Sequence, residues 1–134
     1  MMFLLDSSAW LAHLFGEAGA EQVNLLFDDP NNEVSISALS IPEVYGRLKA
    51  LRIESRWPEV WDIYAALFAQ ILSADETVAY RAVALREAAA SRLPTVDALI
   101  AATAAVQNLT LVHRDPHFAV LPLHTLRQQI LPEK

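Results

Sequence analysis

The chain has 134 residues, 54% apolar and 19% charged, with three Gly, seven Pro, no Cys and a formal net charge of -6. That is the composition of one globular domain spanning residues 1–134, long enough to bury a core, and the lack of cysteine excludes a disulfide framework, thiol catalysis and thiolate metal sites. The acidic balance excludes broad electrostatic binding to nucleic acid, so any such contact must be local.

The longest uncharged stretch of the second half, 98–113, is interrupted by Thr, Gln and Asn and falls short of a membrane span. The first apolar run has no basic residue ahead of it and stops at Asp6, which argues against a signal peptide. A cytoplasmic protein without membrane association is expected.

Taken in chain order, "MFLL" reads as a strand that runs into Asp6, Ser7 and Ser8, any of which suits the N-cap of a helix built on "AWLAHLF". A second strand, "EVSIS", precedes "SIPEVYGRLKAL", where Ile41, Val44, Leu48 and Leu51 fall three or four apart as on one helix face. Ser40 is the expected cap there, with Pro42 in the first turn.

"SRWPEVWDIYAALFAQIL" has helical spacing throughout. "DETVAYRAVALREAAASR" reads as a helix capped by Asp75, and "LPTVDALIAATAAVQN" as one capped by Thr95. "LTLV" and "VLPLHTL" supply two further strands. Strands alternating with helices over short connections predict a three-layer α/β/α sandwich around a mainly parallel sheet.

In such sheets ligands bind outside the carboxyl ends of the strands. Asp6 ends the first strand, Glu43 lies in the first turn of the helix after the second, Asp97 in the first turn of the helix at Thr95, and Asp115 follows "LTLVHR". Each alone has an ordinary explanation as a helix-dipole partner, an ion-pair partner or a turn residue. Together they would repel by about 1 to 4 kcal/mol per close pair at surface-like dielectrics, so convergence requires a cation.

These segments carry a resemblance. "FLLDSSAWL", "ALSIPEVYGRL" and "LPTVDALIAATAAVQNLTLVHRDPHF" resemble the PIN-domain ribonucleases, specifically the VapC-type toxins of toxin–antitoxin pairs, in the expected order along essentially the whole chain. The resemblance implies a metal-binding acidic cluster of Asp6, Glu43, Asp97 and Asp115, with Ser8 as polar support. It implies a Mg²⁺- or Mn²⁺-dependent endoribonuclease that cuts structured RNA such as transfer or ribosomal RNA, forms homodimers and is inhibited by a cognate antitoxin. One departure stands out: many relatives have a hydroxyl residue at position 113 and some a further acid at 117, where this chain has histidines. His113, Asp115 and His117 alternate, and a His-Asp-His set would suit a transition metal; a polar rim at the site mouth is the other role open to His117.

Oxygen-only ligands select Mg²⁺ or Mn²⁺. Asp6 and Asp97 are expected to contact the ion, Asp115 to complete the site directly or through water, and Glu43 to orient or deprotonate the attacking water or hold a second ion. Arg47, Lys49, Arg52 and Arg56 form the densest basic group and are divided between phosphate contact and a solvated helix face.

Trp57, Trp61, Tyr64 and Phe68 make an aromatic stripe of core type, but Val60, Ile63, Ala65, Ala66 and Leu67 fill much of the remaining circumference. Part of that helix is therefore expected to face a second copy or an antitoxin helix.

Two other classes were open. A phosphatase using an aspartate nucleophile needs a second Asp where Ser8 stands, and three scattered glycines cannot form a phosphate loop. A PIN-like module that binds RNA or protein without cleaving is the remaining alternative.

Overall fold

The computed structural model describes residues 1–133. β1 (Met2–Leu5) sends Phe3 and Leu5 into one apolar cluster and Leu4 into another, and all three are buried. A strand covered on both faces must sit inside a layered fold. Its neighbours are β2 (Glu33–Ser37) and β4 (Thr110–His113), with Leu5 in register with Ile36 on one side and Val112 on the other. β3 (Ile71–Leu72) and β5 (Gln128–Ile130) are the edges of a five-stranded, all-parallel sheet of order β3-β2-β1-β4-β5.

One face is covered by α1 (Ser7–Leu14), α2 (Ala20–Asp28), α3 (Ser40–Ala50) and α4 (Trp57–Leu67), whose buried Trp10, Val23, Val44, Leu48 and Tyr64 join Phe3, Leu5, Ile36 and Val112. The other face carries α5 (Glu76–Ala88) and α6 (Thr95–Gln107), which pack on each other and on Leu4 and Leu111. Four buried alanines of α6, Ala98, Ala101, Ala102 and Ala104, let its backbone approach closely. The result is the expected α/β/α sandwich. No helix among the described residues is long and apolar enough to cross a membrane.

Several local expectations are corrected. α3 is capped by Leu39 and α6 by Pro94, neither with a side-chain bond, so Ser40 and Thr95 are first residues of their helices and not caps. Pro94 has φ -56° and ψ 148°, which makes it the extended residue from which α6 departs. Ser40 is fully buried and its hydroxyl meets Ser7 instead. Asp6 itself, not a serine, caps α1, and Asp75 caps α5 as expected by accepting from the Val78 N–H at 3.0 Å.

The segment read as one helix to Leu72 stops at Leu67, and Ile71 and Leu72 pair with β2. "VLPLHTL" is not a strand: Pro122 lacks the N–H a ladder needs, a 3₁₀ turn covers Leu123–Thr125, and the strand forms beyond it as β5. α2 was not foreseen at all.

The aromatic stripe of α4 is a core feature. Trp57, Trp61, Tyr64 and Phe68 surround the fully buried Trp10 at ring-centroid distances of 5.2 to 6.3 Å. The opposite side of the same segment leaves Ile63, Leu67 and Ile71 exposed.

Candidate functional site

Strand order reverses at β1, because β2 follows it on one side and β4, reached after the long excursion through α5 and α6, lies on the other. The carboxyl ends of β1 and β4 therefore flank the crevice where open parallel sheets place ligands. Asp6 leaves β1 there, its own N–H bonded to the Val112 carbonyl of β4 at 3.0 Å.

Asp6 is only 3% exposed. Its Oδ1 accepts from the Ala9 N–H at 2.8 Å, capping α1, and the Ser8 hydroxyl lies 2.7 and 2.9 Å from its two oxygens. Those bonds favour the charged form, yet burial outweighs them and, with repulsion from Asp115 and Asp97, pushes the pKa up to about 7.

Ser8 has a second role. Its oxygen accepts from the Arg114 N–H at 3.0 Å, joining the exits of β1 and β4 through one hydroxyl. The Arg114 side chain turns away to the α1–α2 connection, where it binds the Glu17 carboxylate and the Ala18 carbonyl.

Asp97 enters from the first turn of α6. Burial is the main cause that lifts its pKa to about 6, followed by repulsion from Asp115; the His117 ring opposes the shift and Glu43 adds to it. Glu43, from the first turn of α3, lies 2.5 Å from the Ser7 hydroxyl, which donates to it and also touches the Ser40 hydroxyl at 3.0 Å. No Glu43–Arg47 ion pair forms among the described residues.

Asp115 caps a 3₁₀ turn (Pro116–Val120), its Oδ1 accepting from the His117 N–H at 2.9 Å and meeting His117 Nδ1 at 2.8 Å. That same Nδ1 is 3.5 Å from Asp97 Oδ2.

The two histidines part company. His113 is buried: its Nδ1 accepts the Asp115 N–H at 3.1 Å, so the proton sits on Nε2 and is donated to Gln128 of β5 at 2.7 Å. Burial also pulls its pKa down. The His-Asp-His arrangement is thus overturned on the His113 side, since both of its nitrogens are already used, while His117 joins the acids from the surface.

Three of the four acids and one imidazole therefore meet or feel one another at one sheet edge, together with Glu43. Ligand atoms of Asp97, Asp115 and His117 lie within 4.8 Å of one another. Asp6 adjoins that group closely enough for repulsion from Asp115 and Asp97 to raise its own pKa, and Glu43 adds to the rise at Asp97. Among the described residues no Lys or Arg ion pair reaches any of the four carboxylates, so the His117 ring is the single basic group in contact with them. Clustered oxygen donors with elevated pKa values suit a hard divalent cation, and the N-termini of α1, α3 and α6 favour the ionised carboxylates that would hold it.

Sequence reasoning missed Ser7 as the support of Glu43 and Arg114 as the donor to Ser8. The doubled serine after Asp6 was the available signal, because successive residues in a first helical turn point about 100° apart and so reach two different neighbours.

Arg52 is farther from the site than its place in the sequence suggests. It follows the C-terminus of α3 with φ 59°, about 13 Å along the helix from Glu43. Arg47 is one turn from Glu43 and lines a cavity of about 300 Å³ with Leu11, Phe15, Glu17, Leu51 and Arg114. A concavity of about 830 Å³ along β5 is lined by none of the four acids.

Comparison with known proteins agrees with this architecture. The family model of the PIN domain matches residues 3–122. No curated protein sequence matches the chain. Among solved structures, the chain is similar to a toxin–antitoxin complex from Klebsiella pneumoniae (29% identity, 90% of this chain and 92% of that one, TM-score 0.65) and to FitAcB from Neisseria gonorrhoeae (25%, 96% and 96%, 0.73). VapBC2 from Rickettsia felis, solved bound to a DNA fragment from its promoter, shares the fold at 20% identity over 98% of this chain and 100% of that one, with a TM-score of 0.78. With a family model that spans most of its length and the acidic edge just described, the chain belongs to the PIN-domain family.

Proposed function

We propose that this single domain is the nuclease toxin of a toxin–antitoxin pair, an endoribonuclease that hydrolyses phosphodiester bonds in structured RNA such as transfer or ribosomal RNA with Mg²⁺ or Mn²⁺. The observation that carries the reading is the convergence of Asp6, Glu43, Asp97 and Asp115 at the strand-order reversal, with two of the four held at raised pKa. Such repulsion is a cost unless the cluster serves to bind a cation.

Asp97 and Asp115 would hold the ion with Asp6 beside them, and a bound divalent ion would supply charge neutralisation at the phosphate and acidify water. Ser8 fixes Asp6 in one orientation and ties it to the backbone ahead of Asp115. Glu43, hydrogen-bonded by Ser7, would orient a water or take its proton as the water oxygen bonds to phosphorus and the ester oxygen leaves. His113 holds the Asp115 backbone from beneath. Arg47 is the basic residue best placed to meet a flanking phosphate.

The partner reading is a cognate antitoxin. It draws on the similarity to complexes of that kind and on the apolar and charged cavity between α1 and α3. A homodimer is part of the same proposal and is supported by exposed apolar side chains such as Tyr80 and Val83 of α5 and Ile63 and Leu67 of α4.

The test is incubation with total RNA and Mg²⁺ or Mn²⁺, followed by sequencing of RNA ends, with EDTA and Asp97→Asn as controls. Discrete ends that vanish in both controls are expected; RNA binding without cleavage would replace the nuclease by a binding module.

A further inference from the structure

The acidic edge contains one donor that is not an oxygen. His117 Nδ1 lies 2.8 Å from Asp115 Oδ1 and 3.5 Å from Asp97 Oδ2, and the three ligand atoms fall within 4.8 Å of one another. First-row divalent ions bind nitrogen and carboxylate oxygen at about 2.0 to 2.2 Å, so opposite ligands stand about 4 Å apart and one ion can span the set.

The placement of His117 is built and not incidental. Asp115 Oδ1 accepts the His117 backbone N–H at 2.9 Å, which fixes that backbone relative to the carboxylate, and the next residue, Phe118, is fully buried and anchors the 3₁₀ turn. The ring itself is more than half exposed, so turning it toward an ion costs little desolvation or repacking. Of the two histidines flanking Asp115, His113 is spent on Gln128 and the Asp115 N–H, which leaves His117 as the nitrogen that can move.

We infer that His117 is a ligand of the same cation as Asp97 and Asp115, so that this chain favours transition-metal ions that accept nitrogen more readily, Mn²⁺ or Co²⁺, over Mg²⁺. The inference rests on the metal-dependent reading above and deepens it by naming the ion class. Ligation requires the Nδ1 lone pair, so any proton that Nδ1 shares with Asp115 is released to solvent as the ion binds, and the ligating ring carries its one proton on Nε2. Imidazole nitrogen raises affinity along the order Mn²⁺, Co²⁺ and beyond, whereas Mg²⁺ gains nothing comparable from exchanging a water for it.

The experiment is metal binding by the intact chain, free of RNA. Mn²⁺ is titrated by electron paramagnetic resonance and Mg²⁺ by competition, with pulsed measurement of ¹⁴N coupling to bound Mn²⁺, for the parent, His117→Ala, His117→Asp and Asp97→Asn; circular dichroism checks folding. The parent is expected to show nitrogen coupling that is lost in both His117 variants. The preference for Mn²⁺ over Mg²⁺ is expected to fall about 10-fold in His117→Asp, while Asp97→Asn weakens both ions. Binding without nitrogen coupling, coupling that survives His117→Ala, or an unchanged preference would overturn the inference and leave the metal-dependent reading standing. Failure of the parent to bind either ion would overturn both.

Discussion

The Ser8 hydroxyl donates to Asp6 and accepts from the backbone N–H of Arg114, 106 residues later, so one oxygen fixes the carboxylate that ends β1 against the turn that leads to Asp115. Ser8→Ala removes both bonds and leaves the Arg114 N–H without its partner. A loss of about 1 to 2 kcal/mol of stability is expected by urea denaturation, together with weaker Mn²⁺ binding because Asp6 and Asp115 are no longer held in register. Ser8→Thr, which keeps the hydroxyl, is expected to restore most of both; a Thr variant as defective as Ala would break the link to the hydroxyl.

The raised carboxylates set a pH dependence with a definite sign. An acid whose folded pKa lies above its unfolded value contributes stability below the unfolded pKa and loses it as pH rises through the folded one. For Asp6 that window runs from 3.8 to about 7, and for Asp97 from 3.8 to about 6. In EDTA, Asp6→Asn should therefore melt above the parent at pH 8, by on the order of 5 °C, with the gap closing toward pH 4. Divalent cation narrows or reverses the order by binding the ionised form, raising the parent's Tm more than the variant's. A pH-independent gap in EDTA would show that Asp6 is not the group being relieved.

These relationships were partly visible in the residues alone. Asp6, Asp75 and Asp97 stand where strand exits and helix starts demand a polar residue, and the all-parallel sandwich follows from the alternation of short β runs with helical stretches. What escaped was decided by tertiary contact. Ser40 and Thr95 have cap chemistry, but Leu39 and Pro94 occupy the cap positions and Ser40 is taken by Ser7. β3 is two residues long and continues the apolar pattern of α4 without a break, so only its pairing with β2 distinguishes it. The split between His113 and His117 depends on Gln128, a residue on a strand that had been placed too early in the chain.

Trp10 is the centre of the packing on the α1–α4 face, touching four aromatic side chains while fully buried. Its indole Nε1 has no hydrogen-bond partner among the described residues, so the residue is retained for volume and not for a polar bond. Trp10→Phe should cost under half of what Trp10→Ala does, the latter being about 3 to 5 kcal/mol, as measured by chemical denaturation. Equal losses would mean that the indole makes a polar contact worth more than its bulk.

Charge reversal along α3 separates substrate contact from a solvated face. Arg47 lies one turn from Glu43, whereas Arg52 lies beyond the far end of the helix in a left-handed conformation that glycine would adopt at less cost. Arg47→Glu should weaken cleavage and flatten its dependence on salt. Arg52→Glu should do so less, and Arg52→Gly should gain up to about 1 kcal/mol of stability. Greater loss on altering Arg52 would place the RNA path along the outer end of α3.

Ser7 and Glu43 supply the sharpest separation of binding from chemistry. The hydroxyl lies 2.5 Å from Glu43 Oε1 on an exposed side of the cluster, while Asp97, Asp115 and His117 form a group that does not include Glu43. If Glu43 serves the attacking water, Ser7→Ala leaves the carboxylate in place but unaimed, and single-turnover cleavage of an oligonucleotide carrying the mapped site should slow about 10-fold with Mn²⁺ affinity unchanged. Glu43→Gln should slow it further, because the amide can orient a water but cannot take its proton. Combining the two substitutions should then add little, since an unaimed amide loses only orientation. If both variants instead weaken Mn²⁺ binding in proportion to their loss of rate, Glu43 is a ligand and Ser7 its support, and the proton must leave by another route.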